Sequence, residues 1–186
     1  MFALLAWHTM SVKYAVFLIV VSSPSLIQAA GTESAGLEFY GQPESYAEYE
    51  PWNWRLNATL QFFFQTKSKK TAMIFYQDDN GQSQFMDLFL INGKARFRAK
   101  VQGMNEIDKR VIRHDFADSK WHKVKIELSE EEIKLSIDTE DTIYNAKPIV
   151  LTQYAESLDN AALYVGGIPP NFPGWSYPAI FSNVYG

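Results

Sequence analysis

Alternating apolar and polar residues recur along the chain between residues 56 and 137. In the first such run, 56–65, the even-numbered positions are all apolar and the odd-numbered positions are polar except Phe63. Because side chains alternate between the two faces of a strand, this pattern predicts a half-buried β-strand. We interpret Phe63 as an aromatic side chain that fills a neighbouring groove.

Further short strands are predicted at regular spacing. Their ranges are 72–76, 85–90, 95–101, 123–128, 133–137 and 163–168. Asn92-Gly93 predicts a hairpin, since both central residues of a type I′ turn need positive φ. We interpret 102–119 as a polar connection and 129–132 as a hairpin turn. No helical period lasts three turns, so the sequence predicts an all-β antiparallel sandwich or barrel.

The N-terminal 30 residues have the pattern of a signal peptide. Lys13 precedes a short apolar run, 14–21, and the small residues at 29–31 follow at the expected distance. The run is too short to span a bilayer, and no second long apolar run follows. The sequence leaves open whether translation starts at Met1 or at Met10, and either start predicts an exported protein. The remaining residues, 31–186, are enough for one domain.

Net charge bears on the class of partner, and cysteine content bears on the source of stability. The formal net charge is −4, and without residues 1–30, which contain only Lys13, it becomes −5. A mildly acidic domain argues against general nucleic-acid binding. With no cysteine in an exported chain, the hydrophobic core must supply the stability without disulfides.

Three motifs in order carry a family resemblance. Trp121-His122-Lys123-Val124, the run 133–138, and Leu163-Tyr164-Val165-Gly166-Gly167 with the following Ile-Pro-Pro resemble the laminin G or LNS domain. Segments 37–39, 52–57 and 76–90 are most similar to the first LNS domain of neurexins. The resemblance covers 36–170 and implies a jelly-roll β-sandwich. The family's closing strand starts at a glycine, and this chain ends at Gly186, so we expect a C-terminally truncated domain of a longer protein.

The resemblance also implies a calcium site at one rim of the sandwich. The position of the family's aspartate is occupied by Gln84, and the backbone carbonyl ligand corresponds to Val101. Calcium prefers several hard oxygen ligands, and a neutral amide is a poorer one than a carboxylate. Asp78 and Asp79 in the adjacent turn are possible substitutes, although aspartates in turns commonly serve only the turn.

Two surface features suggest further sites. Asn57-Ala58-Thr59 fits the N-glycosylation acceptor pattern, with Asn57 on the outward face. A basic stripe on the predicted outer face of 95–101 could bind sulfated glycosaminoglycans; the alternative is an ordinary solvated strand face beside Glu106 and Asp108. The stripe consists of Arg96, Arg98 and Lys100, with Lys109, Arg110 and Arg113 in the following segment.

The sequence offers no catalytic constellation. The three histidines lie in the leader (His8), in a charged connection (His114) and in the resemblance motif (His122), and no G-x-S-x-G is present. Acidic residues at 130–132 and 138–141 lie in turns, which does not suit the paired carboxylates of a glycosidase. We therefore expect no enzyme.

These observations predict an extracellular recognition module, secreted or on the outer cell surface. Its parent would be a neurexin-like or other laminin G adhesion protein, with or without a membrane anchor elsewhere, acting in cell adhesion or synaptic contact. The partner would be an extracellular protein or a glycosaminoglycan. The alternative is a stand-alone secreted lectin-like binder of glycans or heparan sulfate, and a jelly-roll hydrolase is a distant third.

Overall fold

The computed structural model describes residues 15–20, 37–39, 45–52, 58–80, 84–101, 107–111, 114–129, 132–145 and 161–169. Within these ranges every regular element is a β-strand. None of them contains a helix that is long and apolar enough to cross a membrane.

The strands form two six-stranded antiparallel sheets. In chain order they are β1 Ala15–Val20, β2 Leu37–Phe39, β3 Ala47–Tyr49, β4 Thr59–Thr66, β5 Ala72–Asp78, β6 Phe85–Ile91, β7 Lys94–Lys100, β8 Ile107–Val111, β9 His122–Leu128, β10 Glu132–Ile137, β11 Glu140–Asn145 and β12 Leu163–Val165. The first sheet has the order β11-β10-β9-β4-β1-β2, and the second has the order β3-β12-β5-β6-β7-β8.

The core lies between the inner faces of the two sheets. On β4 the buried apolar side chains are Leu60, Phe62 and Phe64, as the alternation predicts, and Thr66 continues the same face. Phe62 meets Phe75 of the other sheet edge to face, with ring centroids 5.8 Å apart. Each fully buried aromatic of this size contributes roughly 1.5–3 kcal/mol of hydrophobic stabilisation. The predicted antiparallel sandwich is confirmed.

Four strands after β1 lie where the sequence predicted no strand: β2, β3, β8 and β11. β8 lies within 102–119, the segment that we interpreted as a polar connection. It pairs with β7 from Ala95↔Val111 to Ala99↔Ile107. β11 occupies a segment interpreted as a hairpin loop and pairs with β10 from Ile137↔Glu140 onward. β3 pairs with β12. Charged edge strands have weak alternation, so only their pairing partners identify them.

β1 lies within the segment that the sequence predicts to be a signal peptide. In the uncleaved chain it pairs on one side with β4, from Ala15↔Thr66 to Val20↔Gln61, and on the other side with β2. Cleavage after residue 30 would remove this strand from the sheet. The signal peptide stays a prediction.

Two glycines occupy backbone conformations that other residues rarely adopt. Asn92 and Gly93 have φ of 52° and 76°, which confirms the predicted hairpin turn. Gly166, directly after β12, has φ of 77°. A Cβ at Gly166 would lie 2.5 Å from a ring carbon of Phe39. The first glycine of the Gly166-Gly167 pair is therefore required both by its backbone and by its packing.

We expect Gly166→Ala to destabilise the domain by roughly 1–3 kcal/mol, the usual cost of strained backbone, and more if the Phe39 ring must move. Thermal and urea unfolding measure the change. Gly167→Ala is the comparison variant and should cost less, because Gly167 has no positive φ, although its added Cβ would lie in tight contact with Ser45 O at 3.1 Å. Equal losses from the two variants would contradict the assignment.

Candidate functional site

The outer face of the second sheet carries the basic side chains that the sequence predicted to face water. Arg98 is only 4% exposed, and Asp87 on the neighbouring strand is fully buried. The Arg98 Nε donates to Asp87 Oδ1 at 3.1 Å, and its Nη2 forms an ion pair with Oδ2. The guanidinium also lies over the rings of Phe85 and Phe89, 5.2 Å from each centroid. The prediction that Arg98 faces water is therefore wrong.

Arg96, a second member of the basic stripe, also has a carboxylate partner. Arg96 donates from Nε to Asp108 Oδ1 at 2.6 Å and forms an ion pair with the other oxygen of that carboxylate. Lys100 is exposed at the end of β7. Two of the three predicted glycan ligands thus have carboxylate partners. The side chains of Lys109, Arg110 and Arg113 lie outside the described part of the chain.

The strand register explains why this ion pair is buried. Asp87 is directly opposite Arg98 in the β6–β7 pair, within a second apolar cluster on this face. The buried members of that cluster are Met73, Tyr76, Phe85, Phe89 and Tyr164. Burial raises the pKa of Asp87 to about 6, against the lowering effect of Arg98. The pair therefore completes the outer layer of the sheet rather than offering a free cation to a ligand.

The residues that correspond to the calcium ligands meet at one rim of the sandwich, where β5 and β7 end and β6 begins. Asp79 N donates to Gln84 O at 3.2 Å, and Gln84 N donates to Asp79 Oδ2 at 3.0 Å. The register Phe85↔Lys100 puts Gln84 beside Val101, one residue further along each strand. Asp78 is the last residue of β5 and lies at the same rim. The structure thus brings all four predicted positions together.

Their oxygens, however, already serve the turn. Asp78 Oδ2 accepts from the Tyr76 hydroxyl at 3.0 Å, and Oδ1 accepts from Asn80 N at 3.2 Å. Burial together with the Asp78 carboxylate raises the pKa of Tyr76, so its hydroxyl keeps its proton. Among the described residues no three carboxylates or histidines lie close enough to hold a metal ion. Calcium takes six to eight oxygens, and the two aspartates fit such a site poorly because their oxygens accept hydrogen bonds within the turn.

At the opposite rim, His122 is a buried link between two loops. Its Nδ1 lies 2.8 Å from Asp138 Oδ2, and its Nε2 lies 3.0 Å from Asp118 Oδ1. The ring packs against Phe116 and Phe64, with centroids 5.0 and 5.4 Å away. The histidine of the Trp-His motif is therefore a structural residue that ties the start of β9 to the segment 114–121 and to the β10–β11 turn.

Six lysines lie at the same rim. They come from the loops 67–71 and 114–121 and from the starts of β7 and β9. Lys69 Nζ lies 2.7 Å from Asp115 Oδ2, Phe116 N donates to Gly93 O at 2.8 Å, and Ser119 N donates to Thr66 O at 3.0 Å. These contacts hold 67–71, the 92–93 turn and 114–121 together. We call this surface the lysine rim. It consists of Lys67, Lys69, Lys70, Lys94, Lys120 and Lys123.

Sequence reasoning missed the lysine rim. The run Lys67-Ser68-Lys69-Lys70 was visible, but it is too short to indicate which other charges lie near it. Trp121 was interpreted only as part of a structural motif, whereas it is 48% exposed and is the exposed large hydrophobic residue of the described part. Asn57, the predicted glycosylation site, lies outside the described residues.

The buried ion pair makes a stability prediction. Arg98→Met leaves the Asp87 carboxylate buried without its cation, and we expect a loss of about 3–5 kcal/mol in the free energy of unfolding. The double variant Asp87→Leu/Arg98→Met removes both charges and should recover most of that loss. Urea unfolding at pH 7 measures all three proteins. Arg96→Met is the control, since its partly exposed pair with Asp108 should contribute about 1 kcal/mol or less; equal losses from Arg98→Met and Arg96→Met would contradict the prediction.

The poor fit to calcium leads to a second prediction, on metal binding. Because a ligand that binds only the folded state raises the melting temperature, we expect millimolar Ca²⁺ to leave the melting temperature of the chain unchanged relative to Mg²⁺. Gln84→Asp supplies a carboxylate at the predicted position and should gain a Ca²⁺-dependent increase. A Ca²⁺-dependent increase in the natural chain that Asp79→Asn abolishes would show that the site exists after all.

Comparison with known proteins confirms the family resemblance. The family model of the laminin G domain matches residues 64–181. Neurexin 1 of Drosophila melanogaster is 29% identical over 157 residues, which are 84% of this chain and 8% of that protein. Human Neurexin-2 is 28% identical over 148 residues, 77% of this chain and 8% of that protein. The chain therefore spans a small part of the length of these relatives.

A solved structure confirms the fold. Domains LG4-5 of the mouse laminin alpha1 chain superpose with a TM-score of 0.60 at 20% identity, over 76% of this chain and 37% of that one. The architecture is thus the jelly-roll β-sandwich that the resemblance implies. The family match covers more than half of the residues and agrees with the Trp121-His122, 133–138 and Gly166-Gly167 motifs. The chain belongs to the laminin G domain family.

Proposed function

We propose that this chain is an extracellular recognition module of a neurexin-like or other laminin G adhesion protein. It binds an extracellular protein or a glycan in cell adhesion or synaptic contact. The observation that carries the proposal is the alignment with Neurexin 1 over 84% of the chain. Because the aligned part is 8% of that protein, the activity of the whole relative is not transferred.

Export is part of this proposal. Residues 1–30 serve as the signal peptide, residues 31–186 form the domain, and Asn57 carries an N-linked glycan outside the cell. The absence of cysteine makes folding in the secretory pathway independent of disulfide formation. Localisation is then secreted or on the outer side of the cell surface.

The function is binding rather than catalysis, and it requires no cofactor. Acidic side chains that a hydrolase would need for acid–base chemistry have structural partners here. Asp138 accepts from Lys123 N at 2.8 Å and contacts His122, and Asp141 forms an ion pair with Lys134 at 2.8 Å. Both carboxylates are partly exposed, with side-chain exposures of 39% for Asp138 and 51% for Asp141.

The lectin-like alternative is favoured by one observation. Lys120 and Lys123 are close in sequence to the exposed Trp121, and an indole ring with neighbouring cations suits an anionic sugar chain. The two functions share an extracellular setting, and they differ in whether a protein or a glycan is the partner.

We expect cells that express the complete chain to release it into the medium as a protein that begins at about residue 31, and the released protein to bind saturably to the surface of other cells. N-terminal sequencing and mass spectrometry determine the start and the glycan, and flow cytometry with labelled protein measures the binding.

Heat-unfolded protein at the same concentration is the control for non-specific adhesion. Asn57→Gln tests the glycan separately, because it should change the mass while cell binding remains. Retention inside the cell, or binding that does not saturate, would contradict the proposed function.

A further inference from the structure

The outer faces of the two sheets differ in burial. On the first sheet, Lys125 and Glu127 each keep 36% of the side chain exposed, as expected for a sheet face in contact with water. On the second sheet, Arg98 is only 4% exposed. An arginine near the centre of an uncovered face would extend its guanidinium into water. The outer face of the second sheet is therefore covered by a further layer.

The covered part of this face has the composition of a protein core. Its buried apolar side chains are those of the second cluster, and the Asp87–Arg98 pair lies among them. Tyr76 and Phe89 have no exposed surface. Because the ion pair neutralises itself, a covering layer without charges leaves no ion unpaired. This burial is present in a single chain, so the covering layer is a part of the chain itself.

The described part of the chain contributes the margin of this layer. Four partly buried apolar side chains pack against the cluster: Tyr46, Ile91, Ala162 and Ile168. Tyr46 meets the ring of Tyr164 edge to face, with centroids 5.9 Å apart. Ala162 is small, however, and Ile91 belongs to β6 itself. Most of the covering layer must therefore come from another segment.

The segment 170–186 has the composition that such a layer requires. It contains five aromatic residues and no Asp, Glu, Lys or Arg. It begins two residues after Ile168, which already lies against the cluster. The laminin G family model extends to residue 181, so most of this segment belongs to the domain. Segment 146–160, which leads to Ala162, contains three charged residues instead, and burial of charges without partners is costly.

The segment is also long enough. The cluster and the ion pair extend over the neighbouring strands β12, β5, β6 and β7, which are three spacings of about 4.8 Å each, or roughly 15 Å in total. An extended chain advances about 3.3 Å per residue, so about five residues cross this distance. Residues 170–186 can therefore cross the face and return.

We propose that residues 170–186 dock on the outer face of the second sheet and form a third layer over the Asp87–Arg98 pair and the rings around it. The occupant is this segment of the same chain, and its aromatic rings pack on the guanidinium and on the cluster. The inference goes beyond the recognition function proposed above and is independent of it. A docked segment closes this face to other molecules, which leaves the recognition surface elsewhere on the domain.

The test uses the purified chain and chymotrypsin, which cleaves after aromatic residues except before proline. Within the segment the bonds Trp175-Ser176 and Phe181-Ser182 meet this condition, whereas Phe172 and Tyr177 precede prolines. We expect both bonds to be cleaved at least about tenfold more slowly in the chain than in a synthetic peptide of residues 170–186, because a docked segment is cleaved only from its open form. Mass spectrometry of the products gives the rate at each bond.

Phe89→Ala removes a ring from the covered face and should make cleavage of the segment about tenfold faster. Phe63→Ala is the matched control, because Phe63 lies on the outer face of the first sheet, and it should leave this rate unchanged. Trp175→Ala/Phe181→Ala alters the segment and leaves the face intact. It should lower the melting temperature and raise the fluorescence of a dye that binds exposed apolar surface. Melting curves verify that every variant is folded at the temperature of the assay.

Cleavage of the natural chain at Trp175 and Phe181 as fast as in the peptide would overturn the proposal, and so would equal effects of Phe89→Ala and Phe63→Ala. If Trp175→Ala/Phe181→Ala binds no more dye than the natural chain, another segment such as 146–160 covers the face and the proposal is wrong. If Phe89→Ala does not fold, the cleavage rate of the natural chain and the double variant of the segment still decide.

Discussion

The structure depends on the burial of the two inner sheet faces against each other. No disulfide is possible, so the contacts between β4, β9 and β10 on one side and β5, β6 and β7 on the other must offset the loss of chain entropy. This requirement explains why the inward-facing positions 60, 62 and 64 of β4 are large and apolar. It also explains why segment 114–121 crosses the end of the sandwich with Phe116 only 1% exposed. That segment closes the core and at the same time positions the surface residues next to it.

The second sheet adds a constraint that the first lacks, since both of its faces are partly buried. Its outer face carries Tyr76, Phe89 and the Asp87–Arg98 pair with almost no exposure. Charges in such a layer must be paired, because an isolated ion away from water is too costly. The basic stripe of β7 is a result of this requirement. Arg96 and Arg98 match carboxylates on the two adjacent strands, so these two charges, which look free in the sequence, are paired in the fold.

Local alternation predicted the strands that are buried on one face, and it failed where a strand's identity depends on its partner. Residues 59–66, 122–128 and 132–137 have clear alternation and are strands. Ile107–Val111 has the sequence Ile-Asp-Lys-Arg-Val, which resembles a polar loop until β7 is placed beside it. The position of Arg98 on the outer face was predictable, but its burial was not, because that depends on Asp87 across the strand pair and on the apolar cluster around it. The lysine rim depends in the same way on three loops that are distant in sequence.

β1 shows how two physical requirements can compete for the same residues. Apolar residues 14–21 suit a signal peptide, and in the uncleaved chain residues 15–20 also suit a strand between β2 and β4. Removal of this strand would leave backbone donors and acceptors on both neighbours without their partners, and such groups need water or another strand. β2 has only three residues, but Phe39 is also held by its contact with the backbone at Gly166. That packing can keep β2 on the sandwich when another strand replaces β1. β4 is held independently by its six pairs with β9. The lysine rim lies where β4 ends and β7 and β9 begin, and the β4–β9 pairs that align two of these strands do not involve β1.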